Sequence, residues 1–542
     1  MKILNYFLLT ALAITIQEGN SSGQKKAAGS DLITASDLQS HMTFLASPLL
    51  KGRENGEPGL EIAQEYIVSQ VKLMGLKPAN GNSYYQPYTI TKNTMDPDKT
   101  VIQVISDNSD TVSIKEPIYQ LLPTGPSDFS VSGDVIFAGY GLNQNKYGYN
   151  DFENLKAEGK ILLIMAGAPT SEDGKKYLFE GTDWSSFMSI QVKLLALLST
   201  RAKAVIIVMD PKSGYSSIDD RYPGIAGELS SAKSLKGEKP RSFEMPGMPK
   251  ILFADRRVAD ELFKGTDYTL EGLQKKIDTE LKPFTFAIPG KQVKITEALL
   301  HGEITLNNVA AYIEGSDPVL KDEYVIFSGH SDHIGVLRGN INPGADDNAS
   351  GCAALLSIAK AFQSLPKKPL RSILFLWVSG EEIGLFGSQS YINNPLVPLE
   401  KTVVDLNMDM IGRIKGVADT VKRRPVADLN TVFVITCYQS KELISIAEEV
   451  DKATVLDLDY SLSGRYDSLQ YFIRSDHYNF VKKDIPVLFF TDGEHSDYHK
   501  PGDVVEKIDF RNMELITETV FQIGYNIANR KTRIVVDNPF SK

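Results

Sequence analysis

Cysteine is nearly absent: Cys352 and Cys437 are the only two in 542 residues. One possible pair is no disulfide framework, and two thiols cannot build a thiolate zinc site. Any metal must therefore be held by histidine and carboxylate. Positive charge is also in short supply. With 58 Lys and Arg against 68 Asp and Glu, the formal net charge is −10. That balance disfavours a nucleic-acid partner, because phosphate binding needs clustered basic side chains. The longest basic clusters, Lys367-Lys368-Pro369-Leu370-Arg371 and Lys422-Arg423-Arg424, are short enough to read as solvated surface. Internal repeats and long low-complexity segments are missing too. So is a bilayer-length apolar run, which argues against stable membrane insertion. The apolar stretch Ile3 to Ile16 is too short to span and follows the positive Lys2, so it reads as an export signal. Ala11-Leu12-Ala13 is one of several possible cleavage sites, and polar Gln17 to Ser30 reads as a tether. Residues 1–30 are thus expected to direct export to the periplasm or the medium, with no nearby cysteine to carry a lipid anchor.

What is present is the composition of a globular protein, 42% apolar and 23% charged. The length suggests two domains. Leu38, Met42, Leu45 and Leu49 recur at helix spacing. A polar break through Gly52-Arg53-Glu54-Asn55-Gly56 leads to a second helix, about Leu60 to Met74, stopped by Gly75. Near Lys115 the texture changes to short apolar runs broken by Gly, Pro and Ser. Gly133–Ala138, Lys160–Met165, Ala204–Met209 and Lys250–Phe253 read as strands, and Tyr215 to Gly247 as a long turn-rich stretch. From Asn308 strands and helices alternate. Tyr324–Gly329, Ser372–Val378, Thr402–Leu406 and Pro486–Phe490 suit buried strands, while Ala353 to Leu365 and Arg511 to Ala528 are amphipathic. The expected fold is α/β: a mixed, largely parallel sheet flanked by helices, built from 31–114 and 289–542, with a β-rich insert at 115–288.

The chemistry follows the buried strands. After the first comes His330-Ser331-Asp332-His333, and after the second Glu381-Glu382. Asp409 follows the third. Asp492, His495 and Asp497-Tyr498-His499 follow the fourth. In an open α/β sheet, ligands bind outside the carboxyl ends of the strands. Five of the seven histidines lie between His330 and His499. The loop before the Ala353 helix adds Asp346-Asp347, and capping by Ser350 or Asn348 does not explain two consecutive acids there. Charged groups gathered in a strand-end cleft need something to pair them. Two divalent cations would do so: two histidines and three carboxylates, one of them shared, give each about three protein ligands and leave positions for water.

These strings resemble the aminopeptidase Y type of zinc peptidases, which includes bacterial leucyl aminopeptidases and glutamate carboxypeptidases. The similarity lies in Ser328 to Gly335, Gly344 to Gly351, Gly380 to Gly384, Asn407 to Gly412, Ser475-Asp476-His477 and Asp497-Tyr498-His499. It covers about 36–117 and 289–529. The resemblance implies a zinc-dependent exopeptidase acting on peptides, most simply an aminopeptidase, with two zinc ions. His330 and Asp409 would bind one, Glu382 and His499 the other, and Asp346 would bridge them. Glu381 would be the general base, Tyr498 would hydrogen-bond the oxyanion, and Asp332 would orient the His330 ring. His333, Asp347, His477 and His495 lie nearby in the chain without an assigned role. Ser331 stands where the family usually has an aromatic residue. A carboxypeptidase or dipeptidase of the same family, a glutaminyl cyclase-like acyltransferase and a receptor-like relative without metals remain alternatives. The insert resembles a protease-associated domain in Gly133–Tyr140, Gly159–Gly167 and the Ala202–Asp210 strand.

Overall fold

Four runs carry side chains buried almost without exception: Tyr324–His330, Ser372–Val378, Thr402–Met408 and Val487–Thr491. Continuous burial of this kind requires cover on both faces of a sheet, the condition of parallel strands in α/β proteins. The computed structural model describes residues 27–541 except 116, 122–127, 171–188, 223–230, 239–247, 338, 422–423, 437 and 467–468. In it these runs form the centre of a ten-stranded sheet. Its strands are β1 (Lys77–Pro78), β2 (Tyr85–Met95), β3 (Ser231–Leu235), β4 (Leu299–Ile313), β5 (Tyr324–His330), β6 (Ser372–Val378), β7 (Thr402–Met408), β8 (Thr431–Ile435), β9 (Asp457–Asp459) and β10 (Val487–Thr491). The order is β3-β2-β4-β6-β5-β7-β10-β8-β9, with β1 paired to β4. β6, β5, β7 and β10 run parallel, while β2, β3 and β4 pair antiparallel at one side.

Helices cover both faces. Helix α1 (Ala35–Leu45) starts where the Thr34 side chain accepts the Asp37 N–H at 3.2 Å. Helix α2 (Pro58–Leu73) opens on a proline in its first turn and ends before Gly75, which has φ +78°. With α3 (Gly351–Ser364) and α4 (Phe510–Ala528) they pack one core around Phe327, Phe375 and Trp377. Tyr391, Phe480 and Val481 build a second core on the opposite face, with Ile326, Leu374 and Leu376. Among the described residues no helix is long and apolar enough to cross a membrane. Most of the expected export signal and tether lies outside the described residues. The end of that tether is not loose: Ala27 and Ser30 are buried, and the Ala27 N–H donates to Gln522 of α4 at 2.8 Å.

The second sheet differs from the expectation in extent and in kind. Its eight strands run in the order 111–114, 101–106, 285–297, 129–138, 161–165, 204–208, 250–254 and 118–121. Boundaries at 115 and 288 cut through it. Val101–Ser106 pairs with residues 291–296, so the sheet extends from Val101 to Glu297. Four neighbouring strands are parallel, and the helices Ser189–Leu198, Arg257–Phe263 and Leu270–Glu280 accompany them, so the insert is mixed α/β rather than simply β-rich. The turn-rich stretch hides β3, which leaves the second sheet and pairs with β2 on the first. Beyond it, Glu238 accepts hydrogen bonds from Gln389 and Asn393 at 2.6 and 2.7 Å.

Candidate metal centre and its surroundings

Parallel pairing sets the strand ends side by side: His330 is level with Val378, and Met408 with Phe490. The residues that leave β5, β6, β7 and β10 therefore meet at one carboxyl edge, where open α/β sheets bind ligands. Leu385, Met410 and His499 all take left-handed backbone conformations there, with φ +60°, +61° and +56°. Each costs on the order of 1–3 kcal/mol, and such strain collects where side chains must be aimed.

Two donor groups result. His330 Nε2 lies 3.1 Å from Asp409 Oδ1 and 3.3 Å from Asp347 Oδ1. His499 Nε2 lies 3.1 Å from both Asp347 Oδ2 and Glu382 Oε2. His333 joins the second group, with Nδ1 2.7 Å from Glu382 Oε1 and 3.6 Å from Asp347 Oδ2. A tetrahedral ion with arms of 2.0–2.1 Å has donors about 3.3–3.4 Å apart, so most of these spacings suit a zinc-class cation. A second observation agrees. His499 Nε2 is buried with two carboxylate oxygens at 3.1 Å, yet forms no aligned hydrogen bond with either. Donors that converge on a common centre look like this. The residues fit a pair of cations sharing one carboxylate.

The shared carboxylate is Asp347. Asp346, expected to bridge, points elsewhere: its Oδ1 accepts the Gly412 N–H at 2.7 Å and its Oδ2 lies 3.3 Å from His495 Nε2. Asp503 fixes this choice by accepting the main-chain N–H groups of both Asp346 and Asp347 at 3.0–3.1 Å. Asp332 meets the His330 ring at two points: His330 Nδ1 is 3.1 Å from the Asp332 main-chain carbonyl and 3.7 Å from its carboxylate. The carboxylate also accepts the N–H groups of Glu381 and Glu382 at 3.3 Å and Asn55 Nδ2 at 2.6 Å.

Sequence reasoning reads Arg53 and Asn55 as a polar break, yet both build the site. Arg53 is buried, and its guanidinium donates to the carbonyls of Leu45, Ser331, Pro343 and Gly344 at 2.6–3.0 Å, tying the His330 and Asp347 loops together. Asn55 joins Asp332 to the Gly380 N–H. His477 is away from both donor groups: it bonds the Phe472 carbonyl, stacks on Phe489, and burial lowers it to about 3, so it stays neutral.

The electrostatics sort the remaining groups. Burial alone would lower His499, but the Glu382 and Asp347 carboxylates push it up to about 11. Burial works to raise Asp347, and the three histidines around it overcome that, holding it well below the usual carboxylate range. Glu381 belongs to neither donor group. Burial pushes it well above the carboxylate range against the pull of His330, and Asp409 and Glu382 add to the rise. Burial and the carboxylates of Asp347, Glu382 and Glu381 raise Tyr498, whose ring stacks on His499 at 3.9 Å, so its phenol stays a neutral donor. The edge thus offers two groups of candidate metal donors, a separate carboxyl able to take a proton, and a phenolic O–H.

Residues 308–524 match the model of "Peptidase family M28". The chain is 25% identical over 260 residues to the uncharacterized protein YfbL of Escherichia coli (strain K12), covering 44% of this chain and 77% of that one. It is 27% identical over 221 residues to a probable leucine aminopeptidase of Arthroderma otae, covering 39% of this chain but only 56% of the relative. Among solved structures, BSAP, a zinc aminopeptidase from Bacillus subtilis, aligns with a TM-score of 0.51 at 18% identity, over 92% of this chain and 96% of that one. At that identity the likeness concerns the fold.

Proposed function

We propose, from the match of residues 308–524 to the model of peptidase family M28, that the protein is an exported, zinc-dependent aminopeptidase that removes N-terminal residues from peptides. The observation that carries this reading is the pair of donor groups sharing Asp347, with Glu381 and Tyr498 beside them. His330 and Asp409 would hold one zinc and Glu382 and His499 the other, with Asp347 in reach of both. The zinc aminopeptidase likeness supports the choice of metal, and the donor set of imidazole and carboxylate suits it. Bound there, the ions supply Lewis acidity at the scissile carbonyl and a water acidic enough to ionise near neutral pH.

The chain's own residues do the rest. Glu381, kept out of the ligand groups, takes a proton from the attacking water. As the new C–O bond forms and the C–N bond breaks, it returns that proton to the leaving amine. Tyr498 donates its O–H to the carbonyl oxygen as charge develops there. Asp332 holds the main chain of Glu381 and Glu382, so that one side chain serves as base and its neighbour as ligand. The inserted sheet, reaching the first sheet through β3, is suited to shape access to this edge, in keeping with its protease-associated resemblance.

The test is a panel of aminoacyl, N-acetylated and carboxyl-terminal substrates, assayed with and without chelator while metal content is measured. Hydrolysis should require a free amino terminus, vanish with chelator and return with zinc at two ions per chain. Acetylated peptides cleaved as fast as free ones would reject the aminopeptidase reading. One ion per active chain at saturating zinc would move it towards a cyclase.

A further inference from the structure

The role of His333 is not explained by the two ligand sets. Its ring is 1% exposed, its main-chain N–H donates to the Arg53 carbonyl at 3.1 Å, and its ring meets that of His499 edge-on at 5.6 Å. The ring also packs against Gly344, at φ +61°, where an added Cβ would sit 2.2 Å from the Asp347 carbonyl oxygen and 2.6 Å from the His333 Cγ and Cδ2 atoms, so a larger residue would collide with the imidazole and with the main chain. The ring is used at one nitrogen only: Nδ1 is 2.7 Å from Glu382 Oε1, whereas Nε2 is buried with no hydrogen-bond partner. Since an ionised Glu382 can only accept, Nδ1 carries the proton.

We propose that His333 is a positioning residue: its Nδ1–H locks Glu382 Oε1, leaving Oε2 to face His499 and Asp347 as the ligand atom of the second zinc. The inference rests on the two-zinc reading above and assigns one more side chain to it. Two spacings favour positioning over direct ligation. At 2.7 Å, Nδ1 and Oε1 are closer than two donors of one tetrahedral ion, about 3.3–3.4 Å apart, and match a charge-assisted hydrogen bond. Glu382 Oε2, not Oε1, has the 3.1 Å spacing to His499 Nε2. Groups that hold a metal ligand in this way typically change metal affinity about 10–100-fold when removed.

Two substitutions separate the possible roles. His333→Phe keeps a ring against Gly344 but removes the donor. His333→Asn removes the ring but can place an N–H near the Nδ1 position. Zinc affinity is measured for each variant by competition with a chromogenic chelator, resolving the two ions, with far-UV circular dichroism to confirm the fold. The expected result is a second-zinc affinity about 10–100-fold weaker in the Phe variant, within a few-fold of the parent in the Asn variant, and an unchanged first zinc in both. The cobalt-substituted Asn variant should keep the parent's absorption spectrum, because the ligand set is unaltered. Equal loss in both variants would make the ring nitrogen itself a ligand and overturn the proposal. Loss in the Asn variant alone, or in neither, would reduce His333 to packing and overturn it as well. A parent protein that binds no zinc pair would instead reject the two-zinc reading, so the two failures are distinguishable.

Discussion

Both sheets of the molecule end four parallel strands in a cluster of buried acids, and the two clusters behave differently. In the second sheet, Asp151 accepts from the N–H groups of Tyr140 and Leu142 and from the Tyr149 hydroxyl. Asp210 accepts from the Ser213 N–H and Gln274, and Asp278 from Tyr140, Thr170 and Lys212. Lys193, fully buried, donates to the carbonyls of Tyr140 and Met165. None of these side chains has a buried polar atom without a hydrogen-bond partner. At the first sheet, His333 Nε2, Asp346 Oδ2, His495 Nε2 and His499 Nε2 are all buried without one. Carboxylates at strand ends are therefore a weak sign of function. The stronger sign is a set of donors that the chain itself does not satisfy, since native proteins pair nearly all their buried polar groups.

The largest effect should separate base from ligand at the first sheet. Glu381→Gln is nearly isosteric but cannot take a proton, so turnover should fall about 10²–10⁴-fold or more while both metals stay bound. Glu382→Gln should instead lose affinity for one zinc, with activity partly restored by excess metal. Metal analysis beside single-turnover kinetics checks both, and an inert Glu382 variant carrying two ions would reverse the assignment. Next comes the acid pair. Asp347→Asn should weaken both ions together, because its two oxygens face the two groups. Asp346→Asn acts only through the loop that it ties to Gly412, and should weaken zinc about 10–100-fold with recovery at high zinc. If the Asp346 variant loses more metal than the Asp347 variant, Asp346 is the bridge after all.

That pair also marks how far the sequence could be read. Long runs such as Ser372–Val378 are legible because burial on both faces leaves an unbroken apolar string. His330, Glu382, Asp409 and His499 are legible as a group because they follow such runs. Which of two adjacent acids faces inward is not legible, since Asp503 and Gly412 decide it from distant parts of the chain. Arg53 escapes notice for a related reason: all five of its acceptors are main-chain carbonyls, which any residue can supply. The edge strand Ser231–Leu235 is missed because it contains two serines and a lysine and is only partly buried. The extent of the second sheet is missed because its longest strand, Thr285–Glu297, alternates exposed and buried residues instead of forming an apolar run.

A third effect should appear in stability, where the second sheet ends. Glu297 is 3% exposed, and burial raises its carboxyl to about 7 despite Lys250. Between about pH 4.5 and 7 the unfolded chain has lost this proton and the folded chain retains it, so stability falls as pH rises through that window. At about 1.4 kcal/mol per unit, the penalty at pH 8 is on the order of 3 kcal/mol. Glu297→Gln should remove it, raising the melting temperature at pH 8 and leaving it unchanged at pH 4. Equal shifts at both values would mean that the carboxyl titrates alike in the folded and unfolded chain and that its burial imposes no pH-dependent penalty.

The smallest effect is the one that most directly tests the contrast between the sheets. Asp151 sits at the carboxyl edge of the second sheet much as Asp347 does in the first, but all its bonds are to the protein. In Asp151→Asn the amide oxygen can keep the two main-chain N–H groups. The Tyr149 hydroxyl must then turn from donor to acceptor, and Lys193 loses a nearby opposite charge. A buried network disturbed in this way should cost about 1–3 kcal/mol of stability. Turnover on a small aminoacyl substrate and zinc content should not change, because the hydrogen bonds of Asp151 stay within the second sheet. Thermal melts, metal analysis and steady-state kinetics on the one variant decide it. If it melts like the parent but loses turnover, the acids of the second sheet belong to the catalytic machinery, and internal satisfaction of buried donors is not what distinguishes the two edges.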